Sequence, residues 1–483
     1  MLSLWAQEEM ATAELDDKRL NQRLTRLLSD LGNRSTASIP AACGGHAEMT
    51  AAYRFFDNDK VTWEKILAPH YERTRERIAE QQVALLVQDT SEIDVTRPQQ
   101  QVVGTGPLDG SARHGAFLHL LEAFTPDGTP LGAVWSDVWA RDEQEEQAAS
   151  KSKMEKERQR RGTPIEEKES CRWLEGLRQA REVAQQSPGV ICVSVGDSEA
   201  DIYELFDEPR GDQNPVHLLI RACYDRALTK ESGEPSRRIS DAVLAAPVLF
   251  TQAISVRGRK AKVSCETRGR RQPRENRATE VEVRATQVTL RPPWRPDRTL
   301  SPVPVNVVSV RELDPPKDDV PIEWLLITTL PVDEVEQVRQ VIQYYTVRWM
   351  IEVLFRTLKS GCRVEQRRFE HIDRLLPCLA IYLVIAWRTL FACRLARSYP
   401  DIDCEAVFEP SEWQSVWMAV HRQPPPQTPP RLEDMVRLIA QLGGYVNRPN
   451  RRNPPGPQTL WLGLQRMRDL AWAWDSFGPG AEP

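Results

Sequence analysis

The stretch GVICVSVGDSEADIYELF, residues 189–206, changes character at one aspartate. Before Asp197 the chain is a continuous apolar run rich in β-branched residues, which reads as a strand buried on both faces. After it, SEADIYELF opens a helix. VALLVQD (83–89) repeats the pattern and ends in Asp89. Between the two lie GAFLHLLEAFTPDGTPLGAVWSDVWA (115–140), two strands joined at Pro126-Asp127-Gly128, and a helix from about Glu166 to Gln186. VHLLIRACYD (216–225) is one more strand. Strand, hairpin, helix, strand, helix, strand is an α/β pattern. In such sheets ligands bind beyond the strand C-termini, so the two aspartates are candidates for a functional site.

Working outward, residues 14–32, ELDDKRLNQRLTRLLSDLG, have helical spacing through Leu20, Leu24, Leu27, Leu28 and Leu31, with Gly32 as the expected stop. EMTAAYRFFDND reads as a second helix ending near Asn58. Residues 228–330 alternate strand-like pieces (VLFTQAISV, KVSCE, TEVEVRATQVTL, PVNVVSVREL, EWLLITTL) with polar turns and read as an inserted β subdomain. Within it, residues 257–277 carry nine Lys or Arg against two Glu, a basic stretch suited to phosphate. One long helix is expected over PVDEVEQVRQVIQYYTVRWMIEVLFRTLKSG (331–361), and 370–483 reads as mostly helical, broken by proline-rich loops at 422–431 and 447–457.

The 483 residues suit two to four domains. Hydrophobic residues make up 40% and charged residues 28%, a soluble globular balance, and the net charge of −5 gives no overall nucleic-acid signal. Nine scattered cysteines without a CxxC pair exclude a disulfide framework and a zinc site, and fit a reducing compartment. The acidic N-terminus, MLSLWAQEEMATAELDD, has no signal-peptide pattern. LLPCLAIYLVIAW, from Leu375, is short for a membrane span and reads as a buried helix. A cytoplasmic protein with no membrane partner is expected.

YTVRWMIEVLFRTLK (345–359) carries the second candidate signal. At about 100° per residue, Val347, Ile351, Leu354 and Leu358 share one face, as a buried stripe would. Tyr345, Arg348, Glu352 and Lys359 share another, within roughly 60°. An Arg348–Glu352 i,i+4 pair on a solvated face explains two of these residues and not the alignment of four. Glu352 as a metal ligand beside DNA phosphate needs cations: Arg348 grips phosphate through two parallel N–H bonds, and Lys359 adds a point charge. Three carboxylates at Asp89, Asp197 and Glu352 fit Mg²⁺, a hard cation that takes oxygen ligands. Spacing alone leaves rivals open. Glu92 and Asp94 stand near Asp89, Glu199 and Asp201 stand near Asp197, and Asp197 also suits a helix N-cap.

The order Y-x2-R-x3-E-x6-K, with VQDTSE and VGDSEADIYELF before it, resembles the signature of bacterial cut-and-paste DDE transposases of the IS-four type, the group that includes the Tn-five transposase. ASIPAACGGHAEMTAAYRFFDN resembles that family's DNA end-binding domain, and LIAQLGGYV with the Trp-rich tail resembles its dimerisation domain. The resemblance covers nearly the whole chain. It implies an α/β, ribonuclease-H-like catalytic core with a β-rich insertion, flanked by helical N- and C-terminal domains: 1–65 for end recognition, 66–370 for catalysis with the insertion at about 228–330, and 371–483 for dimerisation. It selects Asp89, Asp197 and Glu352 as catalytic metal ligands for two Mg²⁺, for which Mn²⁺ can substitute. It makes Tyr345, Arg348 and Lys359 DNA-phosphate contacts, and Trp324 in IEWLLITT the residue that stacks on a flipped base. Read from the residues alone, Trp324 is a strand-core residue, and Trp349 suits core packing or DNA. The family places an Arg directly after the second aspartate; here it is Ser198. The implied partners are double-stranded DNA, as transposon ends and as target, and a second copy of the chain. The implied chemistry is hydrolysis at the element's end, hairpin formation and strand transfer. An inactive relative that binds ends without cutting, and a general nuclease, are the other readings.

Overall fold

The structure is a computed structural model that describes residues 2–97, 99–109, 112–142, 162–211, 214–230, 236–256, 258, 275–317, 320–446 and 454–478. Most of the basic stretch 257–277 lies outside these residues, as do KVSCE, nearly all of 150–162 and most of 447–457. The chain divides into two compact units. One comprises residues 1–84, 89–150 and 349–483, the other 85–88 and 151–348.

In the first unit, α1 (Leu4–Glu9) and α2 (Lys18–Asn33) open the chain. Leu24, Leu27, Leu28 and Leu31 of α2 are buried, as their spacing predicts. Asp17 caps α2 by accepting the Arg19 N–H. Gly32 does not stop the helix. It lies under the Trp5 indole, where a Cβ would meet Cζ2 at 2.9 Å, so the glycine serves close packing. Helices α3 (Ile39–Cys43), α4 (His46–Phe56) and α5 (Trp63–Ala79) follow, and α5 lies on the hairpin of β3 (His114–Phe124) and β4 (Pro130–Trp139) through Trp63 Nε1 and Tyr71 Oη, both bonded to Ser136 Oγ. The hairpin turn has Gly128 at φ 84°, the left-handed conformation that glycine adopts without strain. Strand order here is β2 (Gly106–Pro107), β3 and β1 (Val83–Asp94), and β4 also pairs with β3, along Phe117–Phe124.

The core helix of this unit is α11 (Ile372–Ser398), buried almost all round. It is twice as long as the apolar run suggests. By length and composition it could cross a membrane, but 83% of its apolar window is buried inside the protein, as in a core helix. The C-terminal helices α12 (Pro410–His421), α13 (Leu432–Leu442) and α14 (Pro457–Phe477) close around Trp413, Met435, Ile439 and Leu460.

The second unit holds the Leu85–Gln88 part of β1, then β5 (Ile191–Gly196) and β6 (His217–Arg221), which are parallel, then β10 (Glu323–Thr328), β9 (Val303–Glu312), β8 (Arg277–Leu290) and β7 (Phe250–Val256), all antiparallel. Helix α6 (Cys171–Gln186) comes so close to β1 that Gly176 meets Gln88, whose Nε2 donates to Ser194 Oγ of β5. Strands flanked by helices in both units make up the α/β, ribonuclease-H-like fold that the resemblance implies. The strands of the β-rich insertion continue the sheet from the β6 edge, because β10 pairs with β6 in register Thr328 to Leu219.

The expected helix over 331–361 is divided. After the short α7 (Tyr203–Asp207) and α8 (Ile239–Ala245), it begins at Val335, with a capping box between Glu334 and Gln337, and runs to Val347 as α9. Trp349–Arg356 forms α10, and Thr357–Gly361 is a π turn.

Candidate active site

The first unit brings two of the three selected carboxylates together. Asp89, in the second half of β1, and Glu352, on α10, line one open pocket with Thr90, Ser91, Arg356, Lys359 and Ser360. The buried stripe of Ile351, Leu354 and Leu358 sets the direction of Glu352, since those side chains are fully enclosed and the acid stands on the other face. Asp89 Oδ1 accepts the N–H of Thr90 at 2.8 Å. Thr90 Oγ1 is in turn 2.7 Å from Nδ1 of His119, a buried residue of β3.

Lys359 is half-buried and stands 3.9 Å from Glu365. Burial draws its ammonium below the ordinary lysine value; Glu365 and Glu92 oppose that pull, Arg113 adds to it and Asp94 opposes it. The rivals of Asp89 are already engaged. Arg113 donates Nη2 to Glu92 at 2.7 Å and Nε to Asp94 at 2.9 Å, and Asp94 also accepts the Thr96 N–H.

In the second unit, Asp197 follows β5 and accepts the Glu199 N–H at 2.7 Å, so the N-cap reading of this residue is realised. Its rival Asp201 is buried, and accepts two backbone N–H bonds, from Cys223 and Tyr224, as well as Nε of Arg226. Glu199 is exposed. Tyr345 departs from the expected open stripe: it is only 6% exposed and lies edge-on to Trp324, ring centres 5.6 Å apart. Burial pushes its phenol up, Arg348 and Arg221 pull it down and Asp197 adds to the rise, so these groups form one electrostatic neighbourhood. Trp324 is half-buried on β10, opposite Val310. Trp349 is 46% exposed.

Three residues escaped the sequence reading. Arg356 lines the Asp89–Glu352 pocket; its place four residues after Glu352 was the available signal. His119 has no local signal, because Thr90 lies 29 residues away. Arg221 ends β6, and the parallel register of Gly196 with Ile220 puts it beside Asp197 at the neighbouring strand end. It supplies a cation there, where the expected Arg is Ser198.

The donor set fits a hard divalent cation. Asp89 and Glu352 offer oxygens in a pocket open to solvent, and Mg²⁺ typically takes one or two carboxylates with waters and substrate phosphates. Among the described residues, no group of three or more His, Cys, Asp or Glu is placed to hold a metal.

Three family matches run along the chain in order. Residues 3–61 match a transposase DNA-binding family, 175–376 a transposase DDE domain, and 384–472 the Tn5 transposase dimerisation domain. The DDE match includes Asp197, Trp324, Tyr345, Arg348, Glu352 and Lys359, and begins beyond Asp89. Among solved structures, the chain is similar to a piggyBac transposase in a synaptic complex with hairpin DNA, at 9% identity and a TM-score of 0.34, over 82% of this chain and 67% of that one. Three consecutive domains of one kind of enzyme place this chain among the Tn5-like DDE transposases.

Proposed function

We propose that this transposase moves DNA by cut and paste, with Asp89, Asp197 and Glu352 as its metal-holding triad. The observation that carries the assignment is the pocket in which Asp89 and Glu352 stand with Lys359 and Arg356. Asp197 joins them on the strength of its motif and its position after β5. When bound, divalent ions such as two Mg²⁺ polarise the attacking oxygen and offset charge on the leaving oxygen.

The chain's own residues hold and orient. Lys359 and Arg356 face the pocket and take the phosphate flanking the scissile bond. Arg348 contributes a fork of donors, and Tyr345 braces Trp324, whose ring takes the stacking role on an unpaired base; such stacking is worth about 1–3 kcal/mol. No side chain forms a covalent bond to DNA: water is the first nucleophile, and the freed 3′-OH is the second, giving a hairpin and later strand transfer. Domain limits of 1–65, 66–370 and 371–483, end binding by the first domain, a homodimer through the last and a cytoplasmic location belong to this reading.

The test is cleavage of duplexes taken from the DNA flanking the gene, in Mg²⁺ and in EDTA. A metal-dependent hairpin at a defined terminus is expected from the wild type. Asp197→Ala and Glu352→Gln should bind the same duplex and leave it uncut. Full cleavage by Glu352→Gln would remove the triad assignment; specific binding without cleavage by the wild type would identify an end-binding relative instead.

A further inference from the structure

The helix that carries Glu352 does not end as an α-helix. From Thr357 to Gly361 it widens into a π turn, closed by the Cys362 N–H on Thr357 O at 3.0 Å. Single π turns are uncommon and occur frequently at functional sites. This one has two visible braces. Thr357 Oγ1 donates to Val353 O at 2.9 Å. Gly361 lies against the indole of Trp461, so near that a Cβ would stand 2.8 Å from Cε3 and 3.0 Å from Cδ2. Trp461 is 7% exposed on α14, within the stretch that matches the dimerisation family. Lys359 sits in the middle of the turn, and the altered winding sets where its ammonium points, in the pocket with Asp89 and Glu352.

We infer that Trp461 is a positioning residue for Lys359. Its ring fills the space that only a glycine leaves at 361, holds the π turn open and so presents the lysine to a DNA phosphate. A C-terminal helix thereby sets the geometry of a phosphate contact. The inference rests on the reading of Lys359 as that contact.

The test measures binding of full-length protein to a labelled duplex from the flanking DNA, by anisotropy in EDTA over a range of salt. Loss of one phosphate contact lowers the slope of log K against log[salt] by about 0.9. Lys359→Ala should show that drop. Trp461→Ala should show the same drop, the double variant should fall no further, and Trp461→Phe, which keeps a ring, should restore the wild-type slope. A brace that merely supported folding would leave the slope alone. A wild-type slope in Trp461→Ala, or two separate drops in the double variant, would overturn the inference. If Trp461→Ala does not fold, Gly361→Ala decides: its methyl meets the ring, and it should lose slope as Lys359→Ala does, while an unchanged slope overturns the proposal. A wild-type slope in Lys359→Ala itself would instead refute the phosphate role on which the inference stands.

Discussion

At the scale of single residues, the cation beside Asp197 comes from a different position than the resemblance implies. The family pattern puts an Arg after the second aspartate, and this chain has Ser198. Arg221 reaches the same neighbourhood from the end of β6, where the parallel register aligns it with Asp197. A charge-assisted hydrogen bond is worth about 1.5–3 kcal/mol, so Arg221→Ala should slow end cleavage roughly 10- to 100-fold. Binding to end duplexes should change far less, since the DNA-binding match lies at residues 3–61. Single-turnover nicking at saturating protein separates the two effects; an unchanged rate would leave Arg221 as a strand-end residue with no part in the chemistry. The sequence showed Asp89 and Asp197 as candidates but could not choose them over Asp94 and Asp201 without the family pattern. The reason is physical: Asp94 is engaged by Arg113, 19 residues on, and Asp201 by Arg226, 25 residues on. Such partners are set by tertiary packing.

At the scale of elements, periodicity was a sound guide where side chains pack and a poor one where backbones touch. The apolar stripe of Ile351, Leu354 and Leu358 is buried as its spacing requires. The π turn after Arg356 was invisible, because a wider turn is imposed by neighbours such as Trp461 and has no residue signature of its own. Close backbone approach at a glycine is equally hidden from periodicity. Gly32 looked like a helix stop and is a seat for Trp5. Gly463 lies inside α14 against α13, where a Cβ would stand 1.9 Å from the carbonyl oxygen of Ile439. That oxygen is backbone and cannot swing aside, so Gly463→Ala must push the helices apart. Overpacking of this kind typically costs about 1–3 kcal/mol. The variant should unfold at a lower temperature and lose C-terminal function, dimerisation above all, while a protein with the wild-type Tm would show that the two helices slide freely.

At the scale of the whole molecule, the sheet and its charges were legible to different degrees. The succession of strands along the chain, with Asp89 in β1 and Asp197 directly after β5, could be read from the sequence. The extension of the sheet through β10 could not, because it depends on edge pairing between residues about a hundred positions apart, as in Thr328 opposite Leu219. The same holds for two buried glutamates of the first unit whose effects on stability oppose each other. Glu9 is enclosed. Burial would raise its carboxyl, but His70 and then Arg77 outweigh it and leave it lowered. His70 Nε2 accepts the Ala133 N–H, so its proton lies on Nδ1, which donates to Glu9 Oε1. Glu122 is equally enclosed, and neither of its oxygens has a hydrogen-bond partner among the described residues. Burial holds its carboxyl well above the usual range, and Arg77 opposes this only from a distance while bonded to Glu9 and to Leu131 O.

The signs follow from linkage. Glu9, lowered in the fold, contributes stability above the unfolded carboxyl value of about 4.3, and loses it as pH falls through the folded value. Glu122, raised in the fold, favours the native state fully below about 4.3, and loses that contribution as pH rises toward its folded value. Glu122→Met removes the orphaned carboxyl and should therefore stabilise the protein by about 1–3 kcal/mol near neutral pH, with the gain shrinking toward pH 4. Glu9→Gln leaves the buried His70 and the partly buried Arg77 without their carboxylate and should cost about 3–5 kcal/mol near neutral pH, with the loss shrinking as the solution becomes more acid. Thermal midpoints of the three proteins from pH 4 to 8 decide the matter. The two variants should diverge from the wild type in opposite directions as pH rises. A Glu122→Met difference that stays constant across the range would mean that Glu122 ionises in the folded protein as it does in the unfolded chain, and that water reaches a side chain the packing encloses on every side.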